Sequence, residues 1–281
     1  MELVFQAILI GLIQGLTEFI PVSSSAHLEL APWLFGWPSD GLIGSLAFDV
    51  FLHLGTLVAL LVYFWRDWVR LVGAFVAGLR ERRIGADPDR RLAWLLVLAT
   101  VPAAAIGFVG EDLINEVLHG GSDGLRVAIA GFLVIGALAL LAADRFGAQR
   151  RDLDDIGPRT ALAVGFSQAL ALLPGISRSG ATISTGLALG MTRESAARFS
   201  FLLATPITLG AGLYGSRHLL DEAHSATEWL ALGGGFAAAA IAGLLAIGFL
   251  LAWLRRRSVA VFSVYRIAFA ALVVVLVLAG R

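Results

Sequence analysis

GLIQGLTEFIPVSSSAH at 11–27 and GFSQALALLPGISRSGAT at 165–182 decide how this chain is read. Each begins as an apolar run carrying a glutamine and reaches a proline. Each then breaks into a serine cluster with ionisable neighbours: Glu18 and His27 in the first, Arg178 in the second. Such groups inside membrane-length apolar sequence are costly and mark functional sites. Two alike stretches, half a chain apart, point to a site assembled from two copies of one element.

The surrounding composition fixes the environment. The 281 residues are 58% hydrophobic and 15% charged, with mean hydropathy +0.83. That is a polytopic membrane protein. The formal net charge is zero, so bulk charge gives no argument for nucleic acid, and none is expected as a partner. Every basic residue is arginine, which excludes lysine chemistry. The absence of cysteine excludes disulfides, thiolate catalysis and cysteine-ligated metal. The first twenty residues lack a basic n-region and carry Gln6, Gln14 and Glu18, so they are expected to belong to the mature fold.

Six stretches read as full spans: 46–65, 92–111, 125–143, 198–216, 229–254 and 258–279. The connections 66–91, 144–159 and 255–257 are rich in arginine, whereas 112–124 and 217–228 are acidic or neutral apart from Arg217. The positive-inside rule places the first set in the cytoplasm and the second outside, and all six spans alternate without conflict. The remaining pieces, 1–45 and 160–193, each start and end on one side and are split by proline and small residues. The expected fold is therefore all-α: six transmembrane helices plus two re-entrant helical hairpins, entering from opposite faces. Broken backbone is tolerated at membrane depth where it lines a cavity. The chain reads as one membrane domain of two inverted halves, about 1–145 and 158–281, with the site near the midplane where half-helix N-termini meet.

At the second break, Ser177, Arg178, Ser179 and Thr182 fall at the start of a half-helix. Its unpaired N–H groups and dipole suit a phosphate, and the guanidinium fork suits two of its oxygens. The alternative is an arginine that pairs Glu18 structurally or snorkels to a headgroup. At the first break, Ser24 and His27 are spaced to share a helical face, which sets a hydroxyl near an imidazole. Glu18 is read as orienting His27, as acting as a base, or as holding a divalent cation with Gln14. Asp49 and His53 share a face of the next helix, either behind the site or as a pair near the outer surface. Glu111, Asp112, Glu116 and His119 read as solvated in an external loop. The tryptophans near span ends read as an aromatic belt.

GLTEFIPVSSSAHL (15–28) and LLPGISRSGATI (172–183) resemble the two signatures of bacterial undecaprenyl-diphosphate phosphatases, also called bacitracin-resistance proteins. The likeness extends to FDV at 48–50 and SFLLATP at 200–206, and covers essentially the whole chain. The resemblance implies an integral protein of the bacterial cytoplasmic (inner) membrane with re-entrant hairpins, six spans and a homodimeric state. It implies removal of the terminal phosphate from a polyprenyl diphosphate, recycling the lipid carrier for peptidoglycan synthesis and conferring bacitracin resistance. It assigns Glu18, Ser24, His27 and Arg178 as the central group, with Ser23, Ser25, Ser177, Ser179 and Thr182 as phosphate contacts. The cofactor expected is a divalent cation, Mg²⁺ or Ca²⁺, at Glu18 and Gln14, with no organic cofactor. Gln14 stands where the family has Glu or Gln, which weakens a joint claim on the metal. Ala26 stands where some members have glycine.

The chemistry expected is attack by Ser24 on the terminal phosphorus, with His27 accepting its proton or donating to the leaving oxygen. Arg178, the hydroxyls and the helix N-termini would stabilise the transferring phosphoryl group. Direct attack by water, with His27 or Glu18 as base, is the alternative. The first hairpin favours a site facing the periplasm. Transport of a lipid phosphate is a rival from a different class, since broken helices in inverted repeats also build transporters. The other membrane lipid-phosphatase superfamily, with its histidine nucleophile, needs a lysine-led motif and a second downstream histidine. There is no lysine, and no histidine lies between Arg178 and His218, so that reading is rejected.

Overall fold

A computed structural model describes the chain except residues 39–40, 86, 119–121, 222–224 and 281, and except the side chains of 111–118 and 216–221. The described residues form eleven α-helices, with one isolated bridge, Arg151 to Met191, and no strand. In order they are α1 Glu2–Phe19, α2 Ser24–Phe35, α3 Leu46–Tyr63, α4 Trp65–Glu81, α5 Pro88–Leu118 and α6 Asp123–Phe146. There follow α7 Pro158–Ala169, α8 Arg178–Ala188, α9 Arg193–Asp221, α10 Ala226–Leu254 and α11 Ala260–Leu278.

Each of the six predicted spans falls on one helix: α3, α5, α6, α9, α10 and α11. A seventh helix, α1, is also long and apolar enough to cross a membrane, so length and composition alone give seven candidates. α5 continues to Leu118, so the segment after 111, expected as a loop, is helical there. The side chains of Glu111, Asp112, Glu116 and His119 lie outside the described residues. The basic connection 66–91 holds α4, whose exposed face carries Arg66, Arg70 and Arg80 while Leu71 is buried against the bundle.

The arginine-rich connections meet at one end of the bundle. Asp144 accepts from Arg193 Nε at 2.5 Å and from Ser258 Oγ at 2.8 Å. Asp67 accepts from Arg198 at 2.7 Å, Arg255 pairs with Glu194, and Arg91 donates to the carbonyl of Ile156 at 2.6 Å. Both ends of the α7–α8 pair belong here too: Arg150 and Arg151 donate N–H to the carbonyl of Gly190, just past α8. α7 and α8 have 12 and 11 residues, about 18 and 16 Å at 1.5 Å per residue. Neither alone reaches across a hydrocarbon core of about 30 Å.

Helix contacts interlace the two halves of the chain. α1 packs along α10, and α7 packs along α5. Both seams depend on a glycine three residues before the glutamine that precedes each break. A Cβ on Gly11 would land on the carbonyl of Gly235, and one on Gly165 would land on the carbonyl of Ala99. Without a hydrophobic force between helices in lipid, such backbone-to-backbone approach supplies the packing. Gly11→Leu must push backbone aside and is expected to cost roughly 1–3 kcal/mol or more. Thermal unfolding in detergent checks this, and an unchanged midpoint would refute the seam.

Candidate active site

The two breaks are built alike. After Pro21, Ser23 adopts φ 76°, and after Pro174 and Gly175, Ser177 adopts φ 72°. Non-glycine residues are rarely held there, and strained backbone of this kind clusters at functional sites. Ser23 Oγ accepts the N–H of Ala26 at 3.4 Å and Ser177 Oγ that of Gly180 at 3.1 Å, so each serine caps its helix. The next residue is the first of the helix: Ser24 opens α2 and Arg178 opens α8. Equivalent positions therefore deliver a hydroxyl from one half and a guanidinium from the other, both at positive helix ends.

These ends converge on Glu18, in the last turn of α1. Its carboxylate accepts from Ser24 Oγ at 2.6 Å and from Gln14 Nε2 at 3.1 Å, and it forms an ion pair with Arg178. The other arm of Arg178 donates to Thr208 Oγ1 at 2.6 Å. His53 Nε2 lies 3.6 Å from the same carboxylate. His53 Nδ1 is 2.7 Å from the carbonyl of Asp49, which can only accept, so Nδ1 carries a proton and Nε2 is the nitrogen turned to Glu18. Glu18, Ser24, Ser25, Asp49, His53 and Arg178 all line one cavity of about 370 Å³. Its wall includes Leu46 and Val50 from the start of α3 and Ile207, Thr208 and Ala211 from the second half of α9.

The structure thus brings Glu18, Ser24, Ser25 and Arg178 together, and separates them from other predicted contacts. His27 is not on Ser24. Its Nδ1–H donates to the carbonyl of Ser23 at 2.7 Å, its Nε2 is 2.7 Å from Tyr265 Oη, and its ring stacks on Phe269. Both ring nitrogens are spent on bracing the break, and Ser24 pairs with Glu18 instead. Ser23, Ser177, Ser179 and Thr182 are buried and do not line the cavity. Ser177 Oγ and Ser179 Oγ are 3.2 Å apart, and Thr182 Oγ1 is 2.6 Å from Ser200 Oγ. Those hydroxyls serve the backbone of the break, where the expectation was phosphate contact.

Of the pair raised as lying behind the site or near the outer surface, both Asp49 and His53 line the cavity itself. Two residues were missed. Thr208 holds the back of Arg178. Arg266 of α11 is fully buried and donates through Nη2 to the carbonyls of Gly175 and Ile176 at 2.8 and 2.9 Å. It satisfies carbonyls that the second break sets free. A lone arginine in the apolar run VFSVYRIAF was the available signal.

The donor set can be tested against a divalent cation. No group of three or more His, Cys, Asp or Glu that could hold a metal exists among the described residues. An all-protein cage is therefore not built. Gln14 Oε1 is buried without a hydrogen-bond partner, but Gln14 turns its Nε2 to Glu18 and is not among the residues lining the cavity. Of the expected pair, Glu18 alone faces the cavity, where its carboxylate suits a hard cation that takes its other ligands from phosphate oxygens and water, the usual Mg²⁺ arrangement.

Known proteins resemble this chain over nearly its whole length. Residues 7–272 match the family described as bacitracin resistance protein BacA. The chain is 47% identical over 267 residues to an undecaprenyl-diphosphatase of Thermomicrobium roseum, covering 94% of this chain and 95% of that one. It is 45% identical over 274 residues to an undecaprenyl-diphosphatase of Desulforudis audaxviator, covering 98% of each. It is 42% identical over 276 residues to one from Myxococcus xanthus, covering 98% of this chain and 90% of that one.

Proposed function

The chain belongs to the bacitracin resistance protein BacA family, and we infer that it hydrolyses undecaprenyl diphosphate to undecaprenyl phosphate and inorganic phosphate. This recycles the carrier lipid for peptidoglycan synthesis and underlies bacitracin resistance. The observation that carries the reading is Ser24 Oγ held at 2.6 Å by Glu18 in the cavity that Arg178 also lines. The test is inorganic phosphate released from undecaprenyl diphosphate by the purified protein in detergent. A monodisperse sample that releases none, with and without divalent cation, would move the reading to lipid transport.

Ser24 is the nucleophile. Its Oγ attacks the terminal phosphorus as its proton passes to Glu18. The bond from that phosphorus to the bridging oxygen breaks, and undecaprenyl phosphate leaves. A water then attacks the phosphoserine, giving one proton to His53 Nε2, while Ser24 recovers its own from Glu18 and phosphate departs. Arg178 and the N-termini of α2 and α8 face the charge that builds on the transferring group, the main source of such catalysis. His27 acts by holding the carbonyl of Ser23, and so the direction of Ser24. Glu18, braced by Gln14, would hold Mg²⁺ or Ca²⁺, which when bound would supply neutralisation of the diphosphate. His53→Gln is expected to lower kcat by about 10²-fold, as loss of a proton-transfer group does. Steady-state phosphate release checks it, and a kcat within twofold of the unmodified protein would remove His53 from the reaction.

The architecture proposed is six spans and two re-entrant hairpins, α1–α2 and α7–α8, related by an inverted repeat of halves about 1–145 and 158–281. Support comes from the matched breaks, from the matched seams of α1 on α10 and α7 on α5, and from both ends of α7–α8 lying at the arginine-rich face. Gly15 meets Ala239 and Gly243 near the middle of α10, so α1 ends at mid-depth. The cavity runs from there along the start of α3 and the end of α9, away from the arginine-rich face. This favours a site opening to the outer side of the bacterial cytoplasmic membrane. A homodimer is part of the same proposal.

A further inference from the structure

A second cavity, of about 350 Å³, runs between α4, α5 and α9, and nothing in the reaction above uses it. We propose that it seats the polyprenyl chain of the substrate, an inference that rests on the phosphatase reading. Its walls are Trp68 and Phe75 from α4, Leu96, Thr100 and Ala104 from α5, and Pro206 from α9. The hydroxyl of Thr100 donates to the carbonyl of Leu96 at 2.8 Å, which leaves the buried indole N–H of Trp68 as the one polar group of an otherwise apolar wall. Val97 and Val101 on its rim are 44% and 58% exposed, which leaves it open toward lipid.

Adjacency to the catalytic cavity identifies the occupant. Ala103 lines the catalytic cavity and its neighbour Ala104 lines the groove; Ile207 lines the cavity and its neighbour Pro206 the groove. The two spaces therefore lie on either side of one contact between α5 and α9. They also run in opposite directions. The cavity follows the start of α3, and the groove follows α4 toward the arginine-rich face. A diphosphate drawn to mid-depth leaves a long chain that must continue somewhere apolar, and the groove lies directly across that contact. Bilayer lipid is as apolar as this wall, so the gain is packing and alignment of the chain, not transfer out of water.

The test compares undecaprenyl diphosphate with short-chain farnesyl diphosphate, reading kcat/KM for phosphate release from each. Val97→Trp and Ala104→Trp place an indole in the groove at exposed positions, where the fold tolerates bulk. The ratio of the long-chain to the short-chain value is expected to fall roughly tenfold in both, the scale of a packing interaction in a membrane. Leu245→Trp, on an exposed face of α10 away from both cavities, is the control and leaves the ratio unchanged. A ratio that stays constant in folded groove variants, whether both rates fall together or neither does, overturns the groove. Absence of release by the unmodified protein from either substrate would instead strike the phosphatase reading itself.

Discussion

Arg178→Ala is expected to lower kcat/KM for undecaprenyl diphosphate by about 10³-fold or more, the size of a lost preorganised charge at a transferring phosphoryl group. Two consequences of the change must be separated. Arg178 is the ion-pair partner of Glu18, whose side chain is only 4% exposed. Removing one member of such a pair strands the other, typically at about 3–5 kcal/mol. The single variant should therefore be both inactive and less stable. Glu18→Gln combined with Arg178→Ala removes the stranded charge, and is expected to restore the unfolding midpoint while leaving activity absent. Arg178→Lys keeps a charge and loses the fork, so it should recover stability in part and activity little. Phosphate release and thermal unfolding on the same samples decide it. An Arg178→Ala protein with rates within tenfold of the original would remove the guanidinium from the reaction.

Reading the sequence located six of the seven helices long and apolar enough to cross a membrane, because twenty-residue apolar runs have few other uses, and it located both breaks because proline and serine there violate those runs. It grouped Glu18, Ser24 and Arg178, which line one cavity, since each sits where a costly group needs a reason. It erred where the rotation of a short helix decides the outcome. Ser24 and His27 are three apart, which allows a common face, but α2 is entered through the φ of 76° at Ser23. That entry sends Ser24 back toward α1 and His27 toward Tyr265 of α11, a partner 238 positions away that no local spacing reveals. Ser177, Ser179 and Thr182 lie off the cavity, a placement the sequence does not reveal because hydroxyls at a helix start serve capping and phosphate binding equally well. α1 carries the remaining ambiguity, since 18 residues suffice by length for a span and equally for one arm of a hairpin.

Ser24→Ala is the other change expected to have a large effect, and it tests which atom attacks phosphorus. The hydroxyl donates to Glu18 at 2.6 Å, opens α2, and faces the cavity, so its Oγ is already paired with a base and set at a positive helix end. With Ser24 as nucleophile, alanine removes the atom that forms the first bond, and kcat should fall by about 10⁴-fold or more, leaving only the contribution of binding and electrostatics. The fold should be little disturbed, because Glu18 keeps Arg178 and Gln14. If Ser24 only orients an attacking water, the loss should stay near the 10²–10³-fold of a single hydrogen-bond donor. Rapid quenching in acid separates the two further. A covalent phosphate on Ser24, formed within one turnover from substrate labelled at its terminal phosphate, belongs to the first route alone. Failure to trap it, together with a Ser24→Ala rate near that of the unmodified protein, would shift the attack to water activated by Glu18. The same cavity then supplies a different first step, with Glu18 taking a proton from water in place of Ser24 and Arg178 keeping its place at the phosphoryl group.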